Sequence, residues 1–566
     1  MRWSIVTIAV SLGLTGIAVS QTGIPSAVMQ GLHGDVISLR GDIGTYGELY
    51  SISGRDSRRP SSTARLYFRP TISFYDAMTV SFNFLLSTEG SSRSAQHQVN
   101  QINQLGIRPQ WEWGYANAGD FTETFTPYTL NGILLRGGGV TINPGLFRFA
   151  AIGGYTRRTG IAGGSGSFDR YIYGGKIGVG DNEEFFDIMF VRVRDTPSRF
   201  QIVQPDSITP PDSTQVGTTT NAYQDTPQEN LVLGIATSFK MFEDVVDFHA
   251  EVNGSAFTRD MTSSQIKEEK IPSVISGLYS PRLSTSADYA YNLKMGFNFS
   301  PVTFKVGYRY IGPGYSSLGV ASLIADQREI LFGTGIRLSD WSMTFNWSRQ
   351  NDNLLDQKLN TTIRQTFSGN VNIRPVDAWS MGFLGNVLTM RNYAINDTAA
   401  LIRFLTLNLG TTQAIMFGRD GLVQSASLSY IFQKSADENP LRANNGSISN
   451  TISANVIMNL AENLTIVPSI SIVVSRIGSQ SWATIETYSV TPRYRALEND
   501  LVTSLTIGLA RSKSTSSLQT NLNASYRITQ SNILTLSIRR TGFQGDPQLS
   551  SDYSEYTASL TISQKL

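Results

Sequence analysis

The sequence predicts an all-β fold, a single large antiparallel transmembrane β-barrel of about 24–26 strands. Three observations lead to this prediction. From about Ser61 to Leu566, stretches of roughly ten residues alternate apolar with polar side chains. Short and long connections alternate between these stretches. After the N-terminus, no run approaches the roughly 18 apolar residues that a membrane helix needs. A closed sheet with one apolar and one polar face accounts for all three.

The stretch from Ala64 to Tyr75 shows the alternation clearly. Its two sets of side chains are Leu66, Phe68, Ile72 and Phe74 on one side, and Arg65, Tyr67, Arg69, Thr71 and Ser73 on the other. Successive side chains of a strand point to opposite faces, so one face is apolar and the other is polar.

Connection length alternates along the whole chain. The short connections include 241–243, 300, 339, 375–376, 461 and 529–530, and the long ones include 195–228, 257–284, 312–326, 351–360, 435–446 and 544–551. Outer-membrane barrels have short periplasmic turns and longer outer loops. The pattern therefore predicts an even strand number with both termini in the periplasm. Twenty-four strands remain an alternative to 26, because the stretches 39–52, 103–124 and 419–434 are weakly patterned.

The chain divides into three predicted parts. Residues 1–20 resemble a secretory signal peptide, with Arg2 before an apolar core and small residues up to Ser20. Residues 21–38 are predicted to be a short periplasmic N-terminal segment, and residues 39–566 form the barrel. This order predicts a location in the cell outer membrane.

Composition excludes several functional classes. Only 16% of residues are charged, against roughly a quarter in typical soluble domains, and the net charge of +2 gives no basic field for nucleic acid. The absence of Cys excludes a thiolate nucleophile and Cys-based metal sites. No Ser-His-Asp arrangement can be placed around the three His residues. We expect neither an enzyme nor a cofactor.

Acidic and imidazole side chains share one predicted face of a single strand. Asp247, His249 and Glu251 alternate with apolar residues, so all three should face the lumen. Such a row could hold a divalent metal. Same-face neighbours on a strand lie nearly 7 Å apart, however, which is too far to chelate one ion without other strands. An ordinary polar lumen wall is the favoured interpretation.

Basic side chains fall on predicted polar faces elsewhere. These lumen-lining candidates are Arg65, Arg69, Lys294, Lys305 and Arg309. They could favour anionic solutes, or they could simply hydrate the wall. A second basic cluster, Arg55, Arg58 and Arg59, lies in the first predicted outer loop, where it could bind lipopolysaccharide phosphates or remain solvated.

Several stretches carry a family resemblance: Gly54–Pro60, Pro127–Gly132, Thr141–Phe149, Phe168–Gly178 and Tyr308–Tyr315. The chain resembles a group of large uncharacterised outer-membrane β-barrel proteins of Gram-negative bacteria, over most of residues 40–350. The resemblance implies a barrel in the outer membrane. It brings no activity and no binding residues.

Two functions remain open at this stage. The leading hypothesis is an outer-membrane channel or translocation conduit whose lumen is closed by its own loops or by a plug or periplasmic partner protein, with loop 195–228 as the best internal candidate. The alternative is a structural or surface-display barrel whose outer loops bind a partner. A secreted soluble all-β protein is disfavoured. The expected surroundings are outer-membrane lipid, lipopolysaccharide and the barrel-assembly machinery.

Overall fold

The structure is a computed structural model that describes residues 37–75, 77–88, 104–157, 168–197, 226–266, 277–393, 401–419, 422–545 and 551–566. The predicted signal peptide (1–20) and almost all of the predicted N-terminal segment (21–38) lie outside the described residues. Most of loop 195–228 lies outside them as well.

One antiparallel sheet contains all the strands of the described chain. They are β1 (Ile37–Ser53), β2 (Ser62–Phe74), β3 (Met78–Ser87), β4 (Gln104–Trp111), β5 (Gly114–Thr122), β6 (Leu134–Ile142), β7 (Phe147–Arg157), β8 (Phe168–Gly180), β9 (Phe185–Pro197), β10 (Glu229–Met241), β11 (Val246–Thr258), β12 (Thr285–Phe299), β13 (Val302–Ile311), β14 (Gln327–Arg337), β15 (Trp341–Asp352), β16 (Thr362–Val376), β17 (Trp379–Asn392), β18 (Arg403–Arg419), β19 (Leu422–Asp437), β20 (Ser447–Ala461), β21 (Leu464–Ile477), β22 (Ala483–Ala496), β23 (Leu501–Arg511), β24 (Ser516–Arg527), β25 (Asn532–Gln544) and β26 (Tyr553–Lys565).

The sheet is closed. Each strand pairs with its neighbours in the chain, and β1 pairs with β26 from Asp42 opposite Lys565 to Ser53 opposite Ser554. The prediction of one all-β antiparallel barrel is therefore confirmed, with 26 strands in the described residues rather than 24. Strands roughly 4.8 Å apart and tilted by about 40° give a circular barrel of this strand number a diameter of roughly 50 Å.

Most predicted strand bounds agree with the structure to within a few residues. The largest difference is at β18: side-chain alternation predicts a strand over residues 397–411, whereas the strand runs from Arg403 to Arg419. Gly410 resembles the end of a strand, because glycine weakens a strand interior. In the structure Gly410 pairs with both neighbours, opposite Leu384 and Ile431, so the strand continues past it.

The closed sheet has two different faces. On the apolar face, which includes Phe186, Ile188 and Val252, large hydrophobic side chains are 44%, 49% and 53% exposed. The register places Asp187 and Glu251 on the opposite face, which we call the polar face. Exposed apolar surface of this extent needs a cover such as lipid. Among the described residues, no helix is both long and apolar enough to cross a membrane.

Aromatic rings lie near each end of the apolar face on β12 and β13. Phe297 and Phe299 stack near the turn that follows β12, and Tyr289, Tyr291 and Tyr310 stack near its other end. From Tyr289 to Phe299 the strand rises roughly 33 Å, which becomes roughly 25 Å along the axis of a tilted barrel. This is the height of the apolar band that aromatic girdles flank in membrane barrels.

Candidate functional site

The register places all eight predicted site residues on the polar face. They are Arg65, Arg69, Asp247, His249, Glu251, Lys294, Lys305 and Arg309. They do not form one cluster, because the first two lie on β2 and the other six on β11, β12 and β13.

The two arginines of β2 lie against tyrosine rings. The guanidinium carbon of Arg65 is 5.3 Å from the ring centroid of Tyr46, and that of Arg69 is 5.2 Å from the ring centroid of Tyr67. Contacts of this length are attractive, since a cation interacts with the negative face of the ring. Both arginines are therefore held along the polar face.

The row on β11 does not converge on one point. Asp247 accepts a hydrogen bond from the side-chain amide of Asn298 at 2.8 Å, and His249 lies opposite Lys294 in the register. Glu251 is buried and accepts a hydrogen bond from the side-chain amide of Asn253 at 2.8 Å. Within the described ranges, no group of three or more His, Cys, Asp or Glu residues is arranged to hold a metal ion.

Two connections that the sequence presented as ordinary loops fold onto the polar face. The short segment, residues 123–133, joins β5 to β6, and the long segment, residues 312–326, joins β13 to β14. Leu130 and Leu318 pack in a cluster with polar-face side chains such as Val191 and Val193. Burial of apolar side chains of this size stabilises each by roughly 1.5–3 kcal/mol. The covered part of the polar face is therefore a hydrophobic core inside the barrel wall.

A second cluster joins the two segments farther along the sheet. Tyr128 of the short segment and Tyr315 of the long segment pack together with Val232, Ala290 and Ile311 of the polar face. Both segments thus share one continuous support on the strands from β6 to β13. We call this part of the polar face the covered wall.

Backbone hydrogen bonds connect the segments to each other. The amide of Asn131 donates to the carbonyl of Gly319 at 2.9 Å, and the amide of Ala321 donates to the carbonyl of Asn131 at 3.0 Å. The hydroxyl of Ser317 donates to the carbonyl of Thr129 at 2.9 Å. A Cβ atom at Gly319 would lie 2.5 Å from that same carbonyl oxygen, so this close approach requires glycine.

Asn230 anchors the long segment to β10. Its side-chain oxygen accepts a hydrogen bond from the amide of Leu318 at 3.0 Å, and its side-chain nitrogen donates to the carbonyl of Ser316 at 3.0 Å. The same nitrogen also donates to the carbonyl of Ala256 on β11 at 3.0 Å. Asn230 is fully buried, so each of these bonds replaces one that water would otherwise make.

The hydroxyls of Tyr128 and Tyr315 remain protonated and neutral. Burial raises the pKa of Tyr128 to about 12, with the nearby Arg309 guanidinium opposing the rise. Burial also raises the pKa of the Tyr315 hydroxyl, and the neighbouring Glu251 carboxylate adds to the rise. Both phenols therefore keep their protons at neutral pH.

Three cationic side chains of the covered wall lie against carboxylates. Arg148 donates to both carboxylate oxygens of Asp187, at 2.9 and 3.1 Å, and Lys176 lies 3.7 Å from the same carboxylate. Arg309 lies 2.7 Å from Glu329 on the neighbouring strand. Arg309, one of the basic residues predicted for the lumen, is thus offset by a carboxylate on the neighbouring strand.

The sequence contains a signal that the short segment is buried. A solvated loop seldom carries as many large apolar residues as Phe125, Tyr128, Leu130 and Ile133 in so short a stretch. These residues overlap the stretch from Pro127 to Gly132 that carries the family resemblance. Only the structure reveals that the two segments, far apart in the chain, contact each other.

Comparisons with known proteins give a likeness of fold alone. No family model matches the chain, and no curated protein matches it. A glycine-to-valine mutant of the ferric enterobactin receptor of Pseudomonas aeruginosa is 8% identical with a TM-score of 0.39, over 93% of this chain and 80% of that one. The P pilus usher translocation pore is 9% identical with a TM-score of 0.28, over 94% and 100%. OccAB4 of Acinetobacter baumannii is 10% identical with a TM-score of 0.29, over 60% and 92%.

The chain therefore resembles outer-membrane β-barrels of Gram-negative bacteria in its fold. With TM-scores below 0.5, these likenesses add nothing to the functional argument. That argument depends on the closed sheet, its two faces and the two segments.

Proposed function

We propose that this protein is a channel of the outer membrane whose lumen is partly filled by its own short and long segments. The polar face lines the lumen in this proposal, and the eight polar-face residues predicted from the sequence are part of the lining. The apolar face lies in the hydrocarbon of the membrane. A barrel of roughly 50 Å leaves space that cells seldom leave open, and the two segments reduce it from within.

One observation carries the proposal: the segments cover only one part of the polar face. Buried side chains are frequent on the strands from β5 to β13, where the segments pack. None of the described residues of β18–β24 is buried. A polar wall that no described residue covers, inside a closed sheet, supports an aqueous path beside the segments.

The orientation follows the connection lengths. The start of β1 and the end of β26 lie at the end of the barrel that has the short turns. We place this end, and with it both termini, in the periplasm, because outer-membrane barrels have short turns there. The long loops then meet lipopolysaccharide outside. Insertion of such a barrel requires the barrel-assembly machinery, and a plug or periplasmic partner protein could act at the short-turn end.

The hydrogen bonds between the short and long segments favour a second candidate function. If they hold the lumen closed together with loops outside the described residues, the barrel is a structural or surface-display protein whose outer loops bind a partner. In that case the interlocked segments serve to stiffen the wall.

Electrical recording distinguishes the channel function from the structural or surface-display function. The purified protein, folded in detergent and inserted into planar bilayers, should give discrete single-channel steps in potassium chloride. Folding is checked first by the migration of unheated and boiled samples on a denaturing gel. Folded protein that inserts but gives no steps, even after the anchor of the long segment is removed, would support the display function.

A further inference from the structure

The polar face from β17 to β24 differs from the covered wall because its side chains are nearly all uncharged. From β17 to β24 its side chains are mostly Ser, Thr, Asn and Gln, with some aliphatic residues. The charged exceptions lie close to strand ends: Asp437, Arg493, Arg495 and Arg527. We call this part of the polar face the neutral wall.

Hydroxyl and amide groups form a row across the neutral wall. Ser427 pairs with Asn455, Asn455 with Ser469, and Ser469 with Ser489 in successive registers. The hydroxyls of Ser469 and Ser489 lie 2.7 Å apart, close enough for a hydrogen bond. Neighbouring strands are roughly 4.8 Å apart, so the row offers a donor or acceptor at that interval around the wall.

Parallel contacts extend the row on both sides. The hydroxyls of Ser453 and Ser471 are 2.9 Å apart, and those of Thr491 and Thr506 are 3.0 Å apart. Each hydroxyl has one proton and two lone pairs, so a pair that shares one bond retains capacity for a solute or water. The wall can therefore exchange hydrogen bonds with a passing solute at many equivalent positions.

We infer that the channel passes uncharged, hydroxyl-rich solutes of oligosaccharide type along the neutral wall, an inference that rests on the proposed channel function. A solute with many hydroxyls replaces its bonds to water with bonds to the wall at little net cost. An uncharged wall neither holds nor repels it electrostatically. The solute therefore moves without a deep binding step, which conduction requires.

The charges of the covered wall do not oppose this path. Arg148 and Lys176 both lie at Asp187, and Arg309 is paired with Glu329, but an uncharged solute has no net charge for these groups to attract or repel. The neutral wall from β17 to β24 carries a single aromatic residue on its polar face, Phe404, near the start of β18. Tight stacking of sugar rings along this wall is therefore not expected, and passage should depend on size more than on affinity.

The test places a charge at the centre of the row. Ser469→Asp and Ser469→Arg should shift the cation-to-anion permeability ratio by about twofold or more, in opposite directions, because a fixed charge in a narrowed path selects counter-ions. The ratio is obtained from reversal potentials in a potassium chloride gradient. Ser469→Asn, which has the size of Asp but no charge, is the matched control and should leave the ratio unchanged. Ser489→Asp is a second acidic variant, in case one of them fails to fold.

Solute uptake tests the substrate class directly. Liposomes containing the wild-type protein should swell in an isosmotic solution of a neutral tetrasaccharide. Exclusion of the tetrasaccharide by protein that conducts ions would overturn the inference, as would acidic and basic variants that match Ser469→Asn in a conducting channel. A folded wild-type protein that neither conducts nor swells liposomes would instead contradict the channel function itself.

Discussion

The hydroxyl of Tyr315 donates a hydrogen bond to the backbone carbonyl of Tyr128 at 3.0 Å, and this bond joins loops that are 187 residues apart in the chain. Both residues are buried, and burial keeps the Tyr315 phenol protonated. A buried carbonyl that is left without its donor lowers the stability of the folded state by roughly 1–3 kcal/mol. The two segments are therefore held to each other as well as to the wall, so they should move together or not at all.

Removal of the Asn230 side chain should release the long segment. Asn230→Ala leaves the Leu318 amide and the Ser316 carbonyl without their partners, at a cost of roughly 1–3 kcal/mol for each buried group. We expect larger single-channel conductance and more frequent changes of level in planar bilayers. Asn523→Ala, on the polar face of β24, is the control and should conduct like the wild type. Equal conductance of all three proteins would show that the long segment does not obstruct the path.

Acidification should loosen the far end of the long segment. Burial alone would raise the pKa of Asp326, but the Lys358 ammonium and the backbone amides of Leu354 and Asn353 hold it below its ordinary value of 3.8. A lowered pKa stabilises the folded state above pH 3.8 and loses that contribution as the pH falls through the lowered value. Hydrogen exchange at the Leu354 amide should therefore be slow and constant near neutral pH, after correction for the intrinsic rate, and rise below pH 3.8.

Two variants separate this effect from general acid unfolding. Asp326→Asn should expose the Leu354 amide already at neutral pH, since the ion pair with Lys358 is lost. Asp356→Asn changes a neighbouring exposed carboxylate and should leave the exchange rate unaltered. If the Leu354 amide of Asp326→Asn exchanges at the wild-type rate at neutral pH, the Asp326 carboxylate does not protect that amide.

Adjacent residues of β23 test the two faces. Ile507 lies on the apolar face and is 48% exposed, whereas Thr506 lies on the polar face. Ile507→Arg should destabilise the barrel by about 2–4 kcal/mol, because the strand centre lies near the bilayer midplane. Thr506→Arg should cost much less, since its guanidinium remains in water. Urea unfolding of protein reconstituted in lipid vesicles gives both values. Equal losses would contradict the assignment of two different faces, and a larger loss at Thr506 would mean that the faces are reversed.

Deletion of residues 205–221 addresses the loop that the sequence favoured as a gate. If loop 195–228 also narrows the path, the deletion should raise conductance in the wild-type background and add to the effect of Asn230→Ala. Distant and independent changes are expected to add. No change in either background would leave the short and long segments as the obstruction within the chain.

The sequence predicts the strands of the barrel well, but it does not predict the contacts of the short and long segments inside the barrel. Side-chain alternation is local, so a stretch such as 285–299 predicts β12 without knowledge of its neighbours. The contact between Asn131 and Gly319 is different, because nothing local at either residue specifies the other. Apolar residues in the short segment indicate burial, but their partners on β9 are determined by how the closed sheet brings distant strands together.

The charge balance was likewise hidden from a reading of single strands. Arg309 stands on a predicted polar face, and its residue type alone favours anions. Its partner Glu329 belongs to the next strand and lies opposite it only in the observed register. Net lumen charge is thus a property of pairs across strands, which residue spacing within one strand does not determine.

The seam between β1 and β26 has a consequence for how the molecule is made. Tyr46 and Thr561 are neighbours in that seam although almost the whole chain lies between them. Every other strand finds its partner next to it in the sequence, which is fast, whereas this last pairing must bring together the ends of a very long polymer. Ring closure should therefore be the final and slowest event of assembly. Until it occurs, the two unpaired edges remain open to wrong partners, and an agent that shields them during that interval would decide the yield of functional protein.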